Sequence, residues 1–255
     1  MHTLVLLIEY DGTNYSGWQI QPNATSIQEI LEQVWFKLTN QSIKIIGSGR
    51  TDSGVHARGQ VASAIIEEII IPEEKLIVAF NSALPSDIRI LNAVYLNEKF
   101  NARFDAKSRI YHYYISWDVD VFSRNYITRS RKELNIDLLN KSASLFLGSN
   151  DFTTFSKFNP DIKNNICIVN QSIWNYENSK TLKYTIEANH FLYGMVRGLV
   201  GSMLDFERGK YDLSYISECL TKPDRTKYIY FAPPMGLFLA KVNYSENINK
   251  IIYGS

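Results

Sequence analysis

The chain of 255 residues is 45% apolar and 21% charged, which is the composition of a globular protein and excludes general disorder. Lys and Arg number 27 and Asp and Glu 26, so the net charge of +1 argues, taken alone, against a strongly basic nucleic-acid-binding protein. Two cysteines without a CxxC spacing and four scattered histidines argue against a disulfide framework and a metal site, and they indicate the reducing cytoplasm.

The first half of the chain predicts the element order β-α-β-β-α-β. A β-rich run at residues 3–10 is followed by an amphipathic helix at 26–39, which begins with the capping box Ser26-x-x-Glu29. Strands are predicted at 42–47 and 59–67, then a helix that opens at Pro72 and stops near Pro85, then a strand at 88–96.

The second half repeats this order. Its predicted elements are a strand at 109–117, a helix at 137–147, a hairpin of strands at 168–176 and 181–188, helices at 191–207 and 212–220, and a strand at 236–244. The repetition predicts an α+β fold with two ferredoxin-like βαββαβ halves that share a mostly antiparallel sheet flanked by helices. The join at residues 98–108 places the predicted domains at 1–104 and 105–255.

Residues 47–60 form the densest polar cluster, and glycines surround Arg50 and Asp52 there. Glycine permits tight turns and close approach of the backbone to a ligand. The dinucleotide and P-loop motifs both fail, because Asp52 replaces a required glycine of the first and Val55-His56 replaces the Lys-Ser/Thr of the second. Asp52 is either a carboxylate held ionised by Arg50, available as a nucleophile or base, or part of an ordinary Asx-turn or surface ion pair.

Two further groups have weaker interpretations. Asp118-x-Asp120 is compatible with a metal-dependent transferase, although two carboxylates on a loop are more typical of a solvated surface. His56 is expected to pack or hydrogen-bond within its loop, because no serine or cysteine motif accompanies it.

Several blocks occur in an order typical of one family. They are 10–19 (YDGTNYSGWQ), 49–57 (GRTDSGVHA), 81–88 (NSALPSDI), 100–104 (FNARF), 109–113 (RIYHY), 147–152 (LGSNDF), 188–201 (ANHFLYGMVRGLVG) and 232–239 (APPMGLFL). With these blocks the chain resembles the tRNA pseudouridine synthase A family nearly end to end. The resemblance implies the pseudouridine-synthase fold, with the catalytic loop in the first half and the cleft completed by the second.

The resemblance also implies an activity. It is the isomerisation of uridine to pseudouridine in the anticodon stem-loop of tRNA, at tRNA positions 38–40, with flipping of the base, by a homodimer that uses no cofactor and no metal. Base flipping requires a pocket with stacking and apolar faces. A non-catalytic RNA-binding module or tRNA chaperone of the same shape stays the alternative.

Roles for five residues come from the resemblance. Asp52 matches the catalytic aspartate, and addition to the base, attack on the sugar C1′ and a glycal route all stay open. Arg197 matches its ion-pair partner, and an arginine within an apolar helix is costly unless it is paired. Arg50 matches the arginine that helps to extrude the uridine. Tyr111 matches the tyrosine that contacts the flipped base, although core packing explains it equally well, and Leu237 matches the apolar residue that packs in the pocket, although sequence patterns alone predict it as core.

A basic stretch qualifies the near-neutral net charge. Residues 99–132 hold eight Lys and Arg against three Asp, which is a net +5, so the rest of the chain carries −4. We expect RNA contacts from Arg58, Arg103, Lys107 and Arg109. Gly194 and Gly198 depart from the His and Asn that are common in the family, which puts RNA contacts there in doubt. No apolar run is long enough to cross a membrane, and the N-terminal run is too short for a signal peptide.

Overall fold

The structure is a computed structural model that describes residues 2–160 and 162–254. The strands in this part of the chain are β1 His2–Tyr10, β2 Ile46–Gly47, β3 His56–Ile66, β4 Ile88–Leu96, β5 Ser108–Ser116, β6 Thr128–Arg129, β7 Gly148–Asp151, β8 Ile166–Asn178, β9 Thr181–Ala188 and β10 Leu237–Asn243. The α-helices are α1 Ile27–Thr39, α2 Leu76–Ala83, α3 Ile136–Ala143, α4 Met195–Glu207, α5 Leu213–Thr221 and α6 Glu246–Tyr253. None of these helices is both long enough and apolar enough to cross a membrane.

The prediction of an α+β fold with a mixed, mostly antiparallel sheet flanked by helices is confirmed. A parallel pairing occurs between β5 and β6. The chain divides into two compact units, Met1–Lys107 with Leu239–Ser255, and Ser108–Phe238. The domain boundary expected between residues 104 and 105 stays a prediction.

The first unit has the strand order β4-β1-β3-β10, and β2 pairs with β3. Six consecutive residues of β1 are buried, because the strand lies inside the sheet and is covered on both faces. Helix α1 begins as predicted, with the Ser26 side chain accepting a hydrogen bond from Glu29 N. Trp35 of α1 stacks on Phe80 of α2 with 5.8 Å between ring centroids, and this pair fixes the two helices together.

The second unit has the strand order β5-β9-β8-β7. Tyr184 of β9 lies opposite Tyr113 of β5 and opposite Trp174 of β8, and it stacks on Trp174 at 5.0 Å. The Trp174 indole donates to Met203 Sδ of α4, so this aromatic layer also holds the helix. All four side chains are almost fully buried, which places the core of the unit between sheet and α4.

Several predicted bounds differ from those observed. The helix expected from residue 191 begins at Met195, because Gly194 has φ +71 and left-handed backbone cannot continue a helix. The helices expected at 72–85 and 137–147 each contain a short 3₁₀ turn in addition to the α-helix. The strand expected at 42–47 is reduced to Ile46–Gly47. Strands β6 and β7 and helix α6 were not predicted.

Close backbone contact fixes α4 against the segment 230–232. A Cβ atom at Gly201 would lie 1.6 Å from Tyr230 O, and one at Gly198 would lie 2.3 Å from Phe155 O. Both positions therefore require glycine because the helix lies too close to its neighbours for a Cβ atom. Helix propensity, which disfavours glycine, does not explain them.

We expect Gly201→Ala to lower the free energy of unfolding by about 3 kcal/mol, because the Tyr230 carbonyl must move away from the new methyl group. Urea unfolding followed by circular dichroism measures the change. Ser217→Ala on the exposed face of α5 is the control, with an expected change below about 0.5 kcal/mol. Equal stability of the two variants would show that the contact is not tight.

Candidate active site

Asp52 lies in the loop between β2 and β3, at the start of a tight turn. Val55 N donates to Asp52 O at 3.1 Å, and Gly54 takes φ +74 inside the turn. A turn with positive φ at its third residue favours glycine there. The Asp52 side chain is half-buried, and that of Arg50 is exposed.

The Asp52 loop rests on the segment that follows β1. A Cβ atom at Gly17 would lie 2.3 Å from Thr51 O, and one at Gly12 would lie 2.0 Å from Val55 O. Trp18 N donates to Thr51 O at 3.1 Å. The family-like block 10–19 therefore acts as the base on which the aspartate loop is built.

A buried hydrogen bond ties the same loop to β1. The Tyr10 hydroxyl lies 2.8 Å from Thr51 Oγ1, next in sequence to Asp52. Burial raises the pKa of the Tyr10 hydroxyl far above its usual range, so this group stays neutral and can donate. On the other side of Arg50, Gln60 Nε2 donates to Gly49 O at 2.8 Å. The sequence does not predict the Tyr10–Thr51 and Gln60–Gly49 hydrogen bonds, because no sequence motif assigns a contact to Tyr10 or to Gln60.

His56 is 1% exposed and fills the space below the turn, as expected for a loop-packing residue. Gly12 N donates to His56 Nδ1 at 3.0 Å, which requires a lone pair on Nδ1. Asp11 Oδ1 lies 3.1 Å from the same nitrogen, as if paired with a charged ring. The amide contact decides the tautomer, because a backbone N–H can only donate and Asp11 Oδ1 also accepts from Thr13 N at 3.0 Å. The Gly12 contact therefore favours the neutral ring with its lone pair on Nδ1.

In the second unit, Tyr111 lies on β5 and is 6% exposed. Its ring meets Phe191 edge to face, with 5.0 Å between centroids. This contact fixes the ring plane of Tyr111, whichever of the two predicted roles, stacking or core packing, it performs.

One segment, residues 230–237, positions both Arg197 and Leu237. Arg197 Nε donates to Ala232 O at 2.7 Å, and Ala232 N donates back to Arg197 O at 3.0 Å. The Tyr113 hydroxyl donates to Pro233 O at 3.0 Å. Leu237 begins β10 after the short 3₁₀ turn Pro234–Gly236 and is 5% exposed. Arg197 is thus bonded to the segment that leads into Leu237, a link that sequence spacing does not contain.

The predicted RNA-contacting residues differ in exposure. Arg58, Arg103 and Lys107 are exposed, whereas Arg109 is 7% exposed and donates to Asn189 O at 2.7 Å. Burial, and then the Arg109 guanidinium, lower the pKa of His190. Arg109 is therefore a structural cation in this unit, and its contact with RNA stays a prediction.

Asp118 and Asp120 have contacts typical of surface carboxylates. Asp118 pairs with Lys180, and Asp120 accepts hydrogen bonds from Phe122 N and Ser123 N at 2.8 Å. The bonds from Ser123 lower the pKa of Asp120. Across residues 2–160 and 162–254, no group of three or more His, Cys, Asp or Glu side chains is arranged to hold a metal ion.

Comparison with known proteins identifies the family. A family model described as tRNA pseudouridine synthase matches residues 6–105 and 142–245. The chain belongs to the tRNA pseudouridine synthase family. Asp52, Arg197 and Leu237 lie within the matched ranges, whereas Tyr111 lies in the stretch between them.

Curated relatives extend the similarity to nearly the whole chain. A protein of Bacteroides fragilis named tRNA pseudouridine synthase A is 37% identical over 243 residues, which cover 95% of this chain and 96% of the relative. A protein of Protochlamydia amoebophila named tRNA pseudouridine synthase A 1 is 38% identical over 258 residues, 98% of each chain. A protein of Thermoanaerobacter sp. named tRNA pseudouridine synthase A is 38% identical over 247 residues, covering 96% of this chain and all of the relative. The resemblance that the sequence blocks indicate is confirmed.

Within this tRNA pseudouridine synthase family fold, we expect Thr51→Val to lower the free energy of unfolding by about 1–3 kcal/mol. The valine removes the Tyr10–Thr51 hydrogen bond and leaves a buried hydroxyl with one partner fewer. Urea unfolding measures the loss. Thr25→Val, at an exposed position, is the matched control and should change stability by less than about 0.5 kcal/mol. The anchor would be refuted if Thr51→Val were as stable as the control.

Proposed function

We propose that this protein isomerises uridine to pseudouridine in tRNA, and that its target lies in the anticodon stem-loop. The observation that carries the proposal is the Asp52 loop, a half-buried carboxylate on a turn held by buried hydrogen bonds and close glycine contacts. A rigid support of this kind suits a catalytic group, which must keep its geometry during the reaction. The names of the curated relatives agree with this function.

The reaction balances without a co-reactant. The N1–C1′ glycosyl bond of uridine breaks and a C5–C1′ bond forms, while the proton of C5 is released and N1 takes up a proton. Substrate and product contain the same atoms, so the proposed reaction consumes no co-substrate. The detached uracil must rotate without escaping, which favours a closed, dry pocket.

We assign the roles at the reacting centre as follows. Asp52 is the nucleophile or base that assists departure and return of the uracil ring. Arg197 is its ion-pair partner, and support comes from the reciprocal bonds with Ala232 that hold Arg197 Nε in place.

The remaining assignments concern the base that leaves the stack. We propose that Tyr111, whose ring packs edge to face against Phe191, and Leu237 contact the flipped uracil. Arg50, which is exposed beside Asp52, helps to extrude the nucleotide. Arg58, Arg103, Lys107 and Arg109 are proposed to bind the tRNA backbone. A cytoplasmic location is proposed from the tRNA substrate and from the free thiols of Cys167 and Cys219.

We further propose a homodimer, supported by an exposed apolar row on β8. Ile166, Ile168 and Ile173 are 46%, 47% and 37% exposed, and such a row is typical of a covered surface.

Sedimentation equilibrium should give twice the chain mass of 29.3 kDa. Ile168→Lys should shift the mass to that of one chain, because the interface cannot accommodate a buried charge. Ile65→Lys is the control, since Ile65 is a strand isoleucine of similar exposure, 46%, and should leave the dimer intact. A monomeric wild-type protein would exclude the dimer.

The decisive test of the proposed function is Asp52→Asn. With tRNA tritiated at uridine C5, the wild-type protein should release tritium, and the variant should release it more than about 10³-fold more slowly, because the amide cannot act as nucleophile or base. Its affinity for tRNA should stay near that of the wild type. Asp120→Asn is the control and should be fully active.

Other results would favour other functions. RNA binding by the wild-type protein without tritium release would indicate a binding module or tRNA chaperone. Activity that survives in Asp52→Asn but is lost in Asp120→Asn would indicate that the assigned aspartate is wrong.

A further inference from the structure

Beside Arg197, at the start of α4, lies a cluster of one cation and two aromatic rings. Lys157 Nζ lies 5.1 Å from the ring centroid of Tyr193 and 5.7 Å from that of Phe231. Both distances are within the range of a cation–π interaction. The cluster is anchored to the backbone, because Lys157 N donates to Tyr193 O at 2.8 Å.

Gly194 makes room for this cluster. A Cβ atom at Gly194 would lie 3.2 Å from the Phe231 ring and 3.6 Å from Lys157 Cγ, and the left-handed φ of +71 further disfavours any other residue. A residue with a larger side chain at this position would displace the ring and the lysine. From the sequence, Gly194 puts RNA contacts at this position in doubt. In the structure, its missing side chain leaves the space that Lys157 and Phe231 occupy.

The cluster offers charge and ring surface to solvent. The Lys157 side chain is exposed, and Tyr193 is 48% exposed. Among residues 2–160 and 162–254, no carboxylate forms an ion pair with Lys157. Within this part of the chain its ammonium group makes cation–π contacts with the two rings. An exposed ammonium beside an exposed ring matches a nucleotide, which presents a phosphate next to a planar base. An acidic peptide would use the charge alone.

The cluster is next to the proposed catalytic arginine in two ways. Tyr193 lies four residues before Arg197, just ahead of the first turn of α4, and Phe231 is followed by Ala232, whose carbonyl accepts from Arg197 Nε. We propose that Lys157, Tyr193 and Phe231 form a subsite for the nucleotide adjacent to the target uridine. Lys157 binds its phosphate, and Tyr193 stacks on its base. The inference rests on the proposed function, because the target uridine defines the neighbouring nucleotide.

Fluorescence anisotropy with a labelled anticodon stem-loop RNA tests the charge. Lys157→Gln should reduce the slope of log Kd against log salt concentration by about 0.7, the value for one phosphate contact on a single strand. Lys141→Gln, at an exposed position of α3 in the same unit, is the control and should leave the slope unchanged. An unchanged slope in Lys157→Gln would overturn the phosphate contact.

The same assay tests the ring. Tyr193→Ala should weaken binding on the order of ten-fold, whereas Tyr193→Phe should keep the affinity, because stacking needs the ring and not the hydroxyl. Tyr176→Ala, at a tyrosine of β8 that is 51% exposed, is the control. Removing the base on one side of the target uridine should weaken wild-type binding as much as Tyr193→Ala does. With that base removed, Tyr193→Ala should cause no further loss of affinity. Independent effects at both flanking positions would overturn the stacking.

These binding measurements need no turnover, so the two proposals can fail separately. Normal tritium release with unchanged RNA affinity in Lys157→Gln and Tyr193→Ala would overturn the subsite and leave the isomerase. The expected salt slope and base coupling without tritium release would support the nucleotide subsite and exclude the isomerase. Thermal melting of each variant confirms that it is folded.

Discussion

Close approach of one backbone segment to another is the constraint on which both groups of candidate catalytic residues depend. Gly12 and Gly17 let the segment after β1 lie directly against the Asp52 loop. In the second unit, Gly198 and Gly201 let α4 lie against residues 155 and 230. A side chain at any of these positions would separate the supporting segment from the functional one. The placement of Asp52 and of Arg197 thus depends on missing side chains as much as on present ones.

Buried polar contacts complete what the glycines begin. Close-packed backbone leaves N–H and C=O groups that must find partners away from water. His56 and Gln60 supply such partners around the Asp52 loop, Tyr113 supplies one for Pro233 O, and the Tyr10 hydroxyl bonds to the Thr51 side chain. Each of these side chains is itself buried, so its contacts restrict it to a few orientations. The hydrogen bonds that pair the buried backbone groups therefore also hold the candidate site residues rigidly in place.

The sequence predicts elements best where one local signal decides them. Strand β4 has the predicted bounds, and α1 starts at the predicted cap, because a β-rich run and a capping box are local. The start of α4 was misplaced, because Phe191 and Leu192 continue the apolar period, whereas the positive φ of Gly194 keeps the helix from beginning before Met195. Strand β7 has no alternation of apolar residues to detect. It exists because β8 provides a pairing partner.

The candidate site residues could be named from the sequence, whereas the contacts that hold them in place could not. The block around Asp52 and the family blocks point to the candidate residues, but Ala232 and Tyr10 carry no local signal of their contacts. The bond from Arg197 Nε to Ala232 O is one contact that the sequence does not predict. An arginine has five N–H donors in a rigid plane, so one can hold the backbone while the others face a carboxylate. A lysine has a single nitrogen for both tasks. Under the proposed pairing with Asp52, the position therefore demands a forked cation, and Arg197→Lys would conserve the charge but weaken either the bond to Ala232 O or the proposed ion pair.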